Sequence, residues 1–240
     1  MDTATILLKE HGNYQRHQHH QHIRVQKPVC YLVPDTAYTV YLKRFLDIVI
    51  SLVLITSVLS WMIPLLFILI KSTSRGPLFF IQERVGLNGK RFSCFKFRTM
   101  RINQHSETIQ AGSDDKRITK IGMLLRLTHI DELPQLINVL LNDMSIVGPR
   151  PHMLYHDKLF SAVLPQYHNR HLVKPGITGL AQCSGFHGAT PDYQSISNRT
   201  RLDLFYVNRV SIRLDIRILL ATFFIVPVKY LKRDEHGNAN

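Results

Sequence analysis

Polar and apolar positions divide the chain near residue 40. The stretch before it is polar and aperiodic, with His11, His17, His19, His20 and His22 crowded together and Pro28 and Pro34 interrupting it, which predicts an irregular extension over residues 1–40. Ile48 to Ile70 then runs 23 residues without a charge, as a helix roughly 35 Å long and enough for a bilayer's hydrocarbon core. Lys43 and Arg44 precede this run and Lys71 and Arg75 follow it, so the cytosolic preference of basic flanks draws both ends to one side. Pro64 has no N–H for the Ser60 carbonyl and its ring crowds that carbonyl, while Ser57 and Ser60 can serve freed backbone groups. A re-entrant helix broken at Ser60 and Pro64, within residues 41–78, accounts for both features. An ordinary spanning helix that tolerates its proline is the alternative.

Pro77–Val85 and Arg91–Arg98 flank Gly86-Leu87-Asn88-Gly89-Lys90, and Asn-Gly between apolar runs predicts a β-hairpin. Phe95 and Phe97 fall on one face of its second strand, Lys96 and Arg98 on the other. Residues 101–116 are polar and read as loop, and helical spacing resumes at Ile118, Ile121, Leu124 and Leu125.

The segment Arg126 to Leu141 carries the candidate chemistry. Leu133, Leu136, Ile137, Leu140 and Leu141 are spaced as an amphipathic helix with Pro134 in its first turn. Asp131 and Glu132 then stand at the helix N-terminus, where a dipole and unpaired N–H groups favour an ionised carboxylate or a phosphate. Such a carboxylate can act as a nucleophile or hold Mg²⁺. Thr128-x-x-Asp131 also fits a plain capping box. Just beyond the helix, Pro149 and Pro151 stiffen the backbone around Arg150, a guanidinium suited to bidentate phosphate contact. The uncharged run near Ile218–Pro227 is too short for a second ordinary span. It reads as an interfacial or core helix, with Arg209, Arg213, Arg217, Lys229, Lys232 and Arg233 available to headgroups.

Charge narrows the partners without choosing one. Thirty Lys and Arg against 17 Asp and Glu give +13 and a pI near 9.9, pointing to nucleic acid, phosphorylated substrates or acidic lipid; the long apolar run argues against nucleic acid. With 240 residues, 45% of them hydrophobic, the chain can build one domain with a core and is not a disordered polyelectrolyte. Cys30, Cys94 and Cys183 are odd in number and far apart, which suggests neither a disulfide framework nor a zinc site.

Six motifs in order resemble the bacterial sugar transferases called monotopic phosphoglycosyl transferases. They are Lys43-Arg44-Phe45-Leu46-Asp47, Gly76-Pro77-Leu78-Phe79-Phe80 with Gln82-Glu83-Arg84-Val85-Gly86, Lys96-Phe97-Arg98-Thr99-Met100, Asp131-Glu132-Leu133-Pro134-Gln135-Leu136, Gly148-Pro149-Arg150-Pro151 and Lys174-Pro175-Gly176-Ile177-Thr178-Gly179. The resemblance covers about residues 41 to 233. It implies transfer of a sugar-1-phosphate from a nucleotide diphosphate sugar, a UDP sugar by preference, to undecaprenyl phosphate, as the first membrane step of polysaccharide assembly. It also implies a covalent phosphosugar on Asp131, with Glu132 as its partner, Mg²⁺ held by the pair, and Arg126 and Arg150 near phosphate. Lys96 and Arg98 are assigned to phosphate or headgroups. The implied architecture is helix-rich α+β: a re-entrant helix over 41–78 and a catalytic body over 79–233 with amphipathic interfacial helices, at the cytosolic face of the inner membrane. Residues 234–240 form a tail. Membrane lipids join the two substrates as partners, a homodimer is left open, and a basic membrane scaffold without chemistry is the competing class. Two departures stand out: Ser60 and Pro64 are separated by Trp61, Met62 and Ile63 where relatives have Ser-Pro, and His187 stands near where relatives carry an arginine.

Overall fold

A computed structural model describes residues 31–102, 115–186 and 192–225. The His-rich stretch, His187 and Lys229 to Arg233 lie outside them. Within them the chain is helix-rich with two small two-stranded sheets, the α+β composition expected.

The apolar run forms helix α1 (Lys43–Thr73), 31 residues long and apolar enough to cross a membrane. Asp47, Ser51, Leu59, Leu66 and Ile70 are buried and repeat at helical spacing, so one face packs on the protein from end to end. Val53, Trp61 and Ile68 on other faces are more than half exposed, apolar surface that suits lipid rather than water. The irregularity falls one turn before the proline: Ile55–Leu59 is π-helical, and the α-helical segment Ser60–Thr73 continues through Pro64. Wider π turns just upstream give the ring room. Ser57 and Ser60 therefore do not serve a carbonyl freed at Pro64; their hydroxyls donate back to Val53 O at 2.5 Å and Thr56 O at 2.7 Å.

Both ends of α1 are fastened to the same body. At the first end, Lys43 Nζ donates to Asp215 at 2.5 Å and to Val147 O at 3.0 Å, and Arg44 donates to the carbonyls of Val139 and Leu140. Asp47 accepts from Ser145 Oγ and Ile146 N. At the far end, Arg98 donates to Arg75 O at 2.6 Å and Ser74 O at 2.8 Å. Both carbonyls belong to the extended residues just past the helix, so buried Arg98 ties the exit of α1 to the hairpin.

Strands β1 (Phe79–Val85) and β2 (Arg91–Phe97) pair antiparallel in the expected hairpin, with Val85 opposite Arg91. Asn88 and Gly89 take positive φ in its turn, the conformation for which Asn-Gly is suited. Helix α2 (Lys120–Leu127) is capped by Thr119, whose hydroxyl accepts from Gly122 N. A 3₁₀ turn (Ile130–Glu132) and the short α3 (Gln135–Leu140) follow. Buried Asn138 ties α3 to β2, its amide accepting from Phe95 N and donating to Ser93 O.

Strand β3 (Ser145–Val147) pairs in parallel with β4 (Gly176–Thr178); α4 (Leu154–Val163) and a 3₁₀ segment (Tyr167–Leu172) lie between them in sequence. This pairing brings Gly148-Pro149-Arg150-Pro151 against Lys174-Pro175-Gly176. A Cβ on Gly176 would lie 2.1 Å from Gly148 N and 2.5 Å from Thr178 O, backbone atoms that cannot step aside. Gly176→Ala is accordingly expected to destabilise by at least about 2 kcal/mol, as overpacking does, measured as a fall in the thermal midpoint.

The chain ends in α5 (Leu180–Cys183), α6 (Tyr193–Asn208), α7 (Ile212–Leu220) and a π-helical turn. Helix α6 is a core helix with Ile196, Leu204, Tyr206 and Val207 buried. On α7 only Asp215 and Ile218 are buried, while Ile212, Ile216 and Leu220 are exposed beside Arg213 and Arg217. The basic residues expected at headgroups thus divide: Arg209 stacks over Phe205, and Arg213 and Arg217 share the open side of α7.

Candidate active site

Four segments converge on the acidic pair: β2 brings Lys96, the end of α2 brings Arg126, the 3₁₀ turn carries Asp131 and Glu132, and the loop after β3 brings Arg150. His129, at φ 56° in the left-handed region, turns the chain from α2 into the 3₁₀ turn. Thr128 is no N-cap; it closes α2, its hydroxyl donating to Leu124 O and Leu125 O, so the capping-box reading is wrong. The dipole reading needs correcting too, because neither carboxylate lies in the first turn of the six-residue α3, whose dipole is small and falls off within one turn. Side-chain cations supply the field instead.

Glu132 is the hub. Arg150 grips it with both terminal nitrogens, Nη1 to Oε2 at 2.9 Å and Nη2 to Oε1 at 2.5 Å, and Lys96 Nζ donates to Oε1 at 2.6 Å. Burial alone would push this carboxyl up, but the charges and hydrogen bonds of Arg150 and Lys96 together hold it well below the usual range. Glu132 in turn raises the Arg150 pKa against burial.

Asp131 is different. Its side chain is buried, yet among the described residues no hydrogen bond or ion pair reaches its carboxylate. Burial raises its pKa; Lys96 opposes that, the Glu132 charge adds to it, and Arg126 and Arg150 oppose it more weakly. Arg126 is aimed by Thr99, whose Oγ1 accepts from its Nε at 2.8 Å. Desolvation lowers the Arg126 pKa and the charge of Asp131 partly offsets that. Three cations thus surround two carboxylates, one bonded on both oxygens and one open. An anion such as a diphosphate is attracted here, and a carboxylate oxygen stands ready beside it.

Of the residues expected near phosphate, the structure gathers Lys96, Arg126 and Arg150 and removes Arg98, whose guanidinium is spent on the Ser74 and Arg75 carbonyls just past α1. Alternation along β2 put Lys96 and Arg98 on one side, but two residues further along the hairpin the side chain meets Ser74 and Arg75 instead of the acidic pair. Three supporting residues have no single-residue signal in the sequence: Thr99, which aims Arg126, Asn138, which fixes α3 on β2, and Arg170, which donates to Arg150 O. Thr99 alone sits inside a motif, next to Lys96-Phe97-Arg98.

Among the described residues no group of three or more His, Cys, Asp or Glu is placed to hold a metal. The pair Asp131 and Glu132 suits an ion that takes one or two carboxylates and completes its shell with phosphate oxygens and water, which is the habit of Mg²⁺.

Comparison with known proteins identifies the family. Residues 38–229 match the family described as Bacterial sugar transferase. The chain is 50% identical over 155 residues to the UDP-glucose:undecaprenyl-phosphate glucose-1-phosphate transferase of Xanthomonas campestris pv. campestris, covering 64% of this chain and 32% of that protein. It is 41% identical over 195 residues to the protein of the same name from Klebsiella pneumoniae, covering 80% and 41%. It is 46% identical over 189 residues to the Exopolysaccharide production protein PSS of Rhizobium leguminosarum bv. phaseoli, covering 75% and 92%. The chain thus spans less than half the length of the first two relatives.

Proposed function

Since the chain belongs to the bacterial sugar transferase family, we propose that it transfers a sugar-1-phosphate from a UDP sugar to undecaprenyl phosphate through a covalent intermediate on Asp131. The observation that carries this reading is the contrast within the pair: Glu132 is bonded on both oxygens, while the Asp131 carboxylate beside it is open.

In the first step an Asp131 oxygen attacks the phosphorus that bears the sugar. The new O–P bond forms as the bond from that phosphorus to the bridging oxygen breaks, and uridine monophosphate leaves with the bridging oxygen and its electron pair. In the second step an oxygen of the lipid phosphate attacks the same phosphorus and releases the Asp131 carboxylate. The sugar's own C–O bond is untouched. Lys96, Arg126 and Arg150 offset charge on the phosphates. Glu132 keeps Arg150 and Lys96 in place rather than acting as a base, since the two cations that hold its pKa low also make it a poor proton acceptor. Mg²⁺ would be held by Asp131 and the lone pair left on Glu132, and supplies further neutralisation of the diphosphate.

The site belongs at the cytosolic face of the inner membrane, where a soluble donor and a lipid-anchored acceptor both reach it. What supports a re-entrant α1 is that Lys43, Arg44 and Asp47 at one end, and Ser74 and Arg75 just past the other, are held by one body; a helix crossing the bilayer would carry its far end away from it. The exposed apolar side of α7, with Arg213 and Arg217, suits the interface.

Because burial raises the Asp131 pKa, the acid limb of kcat/KM is expected above the ordinary aspartate value, and Glu132, held low, contributes nothing to it; a pH profile reads this directly. The reading as a whole is tested by supplying UDP sugars, UDP-glucose first, with undecaprenyl phosphate and Mg²⁺. Release of uridine monophosphate with one of them is expected. Silence across the panel contradicts the proposal and favours a scaffold.

A further inference from the structure

Arg150 sits between two prolines, which fix their own φ and restrict the residue before them. Three successive carbonyls of this segment are each held from a different element. Gly176 N donates to Pro149 O at 3.0 Å, Arg170 Nη2 to Arg150 O at 2.7 Å, and Arg84 Nη1 to Pro151 O at 3.0 Å. The middle carbonyl matters most, because its peptide plane turns with ψ of Arg150, a torsion that Pro151 narrows without fixing.

The donor to that carbonyl is itself tightly bound. Arg170 is 2% exposed. Its Nε and Nη2 bond Asp203 Oδ2 at 3.1 and 2.8 Å, and its Nη1 lies 3.3 Å from both Tyr167 Oη and His152 Nδ1. A buried Arg–Asp pair is a poor stability device, since apolar residues of similar volume often do as well or better. What an apolar pair cannot do is hold the Arg150 carbonyl.

We propose that Arg170, held by Asp203, is a positioning residue that fixes the Arg150 backbone and so keeps its guanidinium in bidentate register with Glu132. Its effect on turnover rests on the function proposed above; its effect on Arg150 geometry does not.

The test combines Arg170→Met with Asp203→Leu in the full chain, removing both charges so that neither is stranded. Phenylglyoxal modification of Arg150, followed by peptide mass mapping without substrate, is expected to run about tenfold faster than in the wild type, as for a guanidinium freed from a two-pronged carboxylate. Turnover is expected to fall about 10²-fold through kcat, the cost of a misplaced charge, with the thermal midpoint near that of the wild type. Wild-type labelling of Arg150 in the folded double variant overturns the proposal, whatever turnover does. Should that variant fail to fold, Arg170→Lys replaces three nitrogens with one and is read the same way: faster labelling supports the proposal and wild-type labelling overturns it. If the wild type turns over no sugar nucleotide, the functional reading falls while the labelling still decides this one.

Discussion

Asp131→Asn is expected to reduce release of uridine monophosphate from the sugar donor by at least about 10³-fold, the loss typical of removing a nucleophile. The variant keeps the shape of the side chain and removes only the charge. Burial already penalises that charge, which is why the Asp131 pKa is raised, so a neutral amide relieves an unfavourable state at pH 7. The thermal midpoint of Asp131→Asn is therefore expected to equal or exceed that of the wild type. Lost turnover with retained or increased stability separates a chemical role from a structural one; lost turnover with a collapsed midpoint contradicts the assignment.

Arg150→Met carries the second large effect. It removes both donors that grip Glu132 and one of three cations around the open carboxylate, and kcat/KM is expected to fall about 10²- to 10³-fold, as when a donor to developing charge is deleted. The same substitution has a signature in stability against pH. The Glu132 carboxyl is held below its unfolded value by Arg150 and Lys96, so its stabilisation is fully present above the unfolded pKa and is lost as pH falls through the folded one. With Arg150 gone, only Lys96 remains and the depression shrinks. Thermal midpoints from pH 7 to pH 3 are expected to drop steeply below about pH 4.5 in the wild type, near the ordinary glutamate pKa, and more shallowly in Arg150→Met. Parallel curves would contradict the ion pair.

Features legible in the sequence were those written in local pattern. Twenty-three uncharged residues gave α1, Asn88-Gly89 gave the hairpin, and Asp-Glu beside a proline-flanked arginine gave the heart of the site. What escaped depends on where the chain returns after long separations. Arg98 reads as a cation on a strand face, but the segment just past α1 passes beside it, and the buried guanidinium goes to the Ser74 and Arg75 carbonyls. The acidic pair reads as the start of a helix because Pro134 follows it, yet His129 in the left-handed region sets a separate turn first. Lys43, Arg44 and Asp47 read as flanking charges, although their partners lie about a hundred residues away or more. No periodicity announces Arg170 and Asp203, since a buried pair of this kind is recognisable only once both sides are in place.

A bond between Asp131 and the sugar-bearing phosphorus is detected by incubating the protein with UDP sugar and Mg²⁺ but without lipid phosphate, then mapping peptides by mass. The expected result is a phosphosugar added to the peptide that contains Asp131, uridine monophosphate released in step with it, and discharge of the adduct when undecaprenyl phosphate is supplied. An enzyme that turns over donor and lipid together yet carries no added mass at Asp131, and releases no nucleotide until the lipid is present, would show that transfer proceeds in one step without this intermediate.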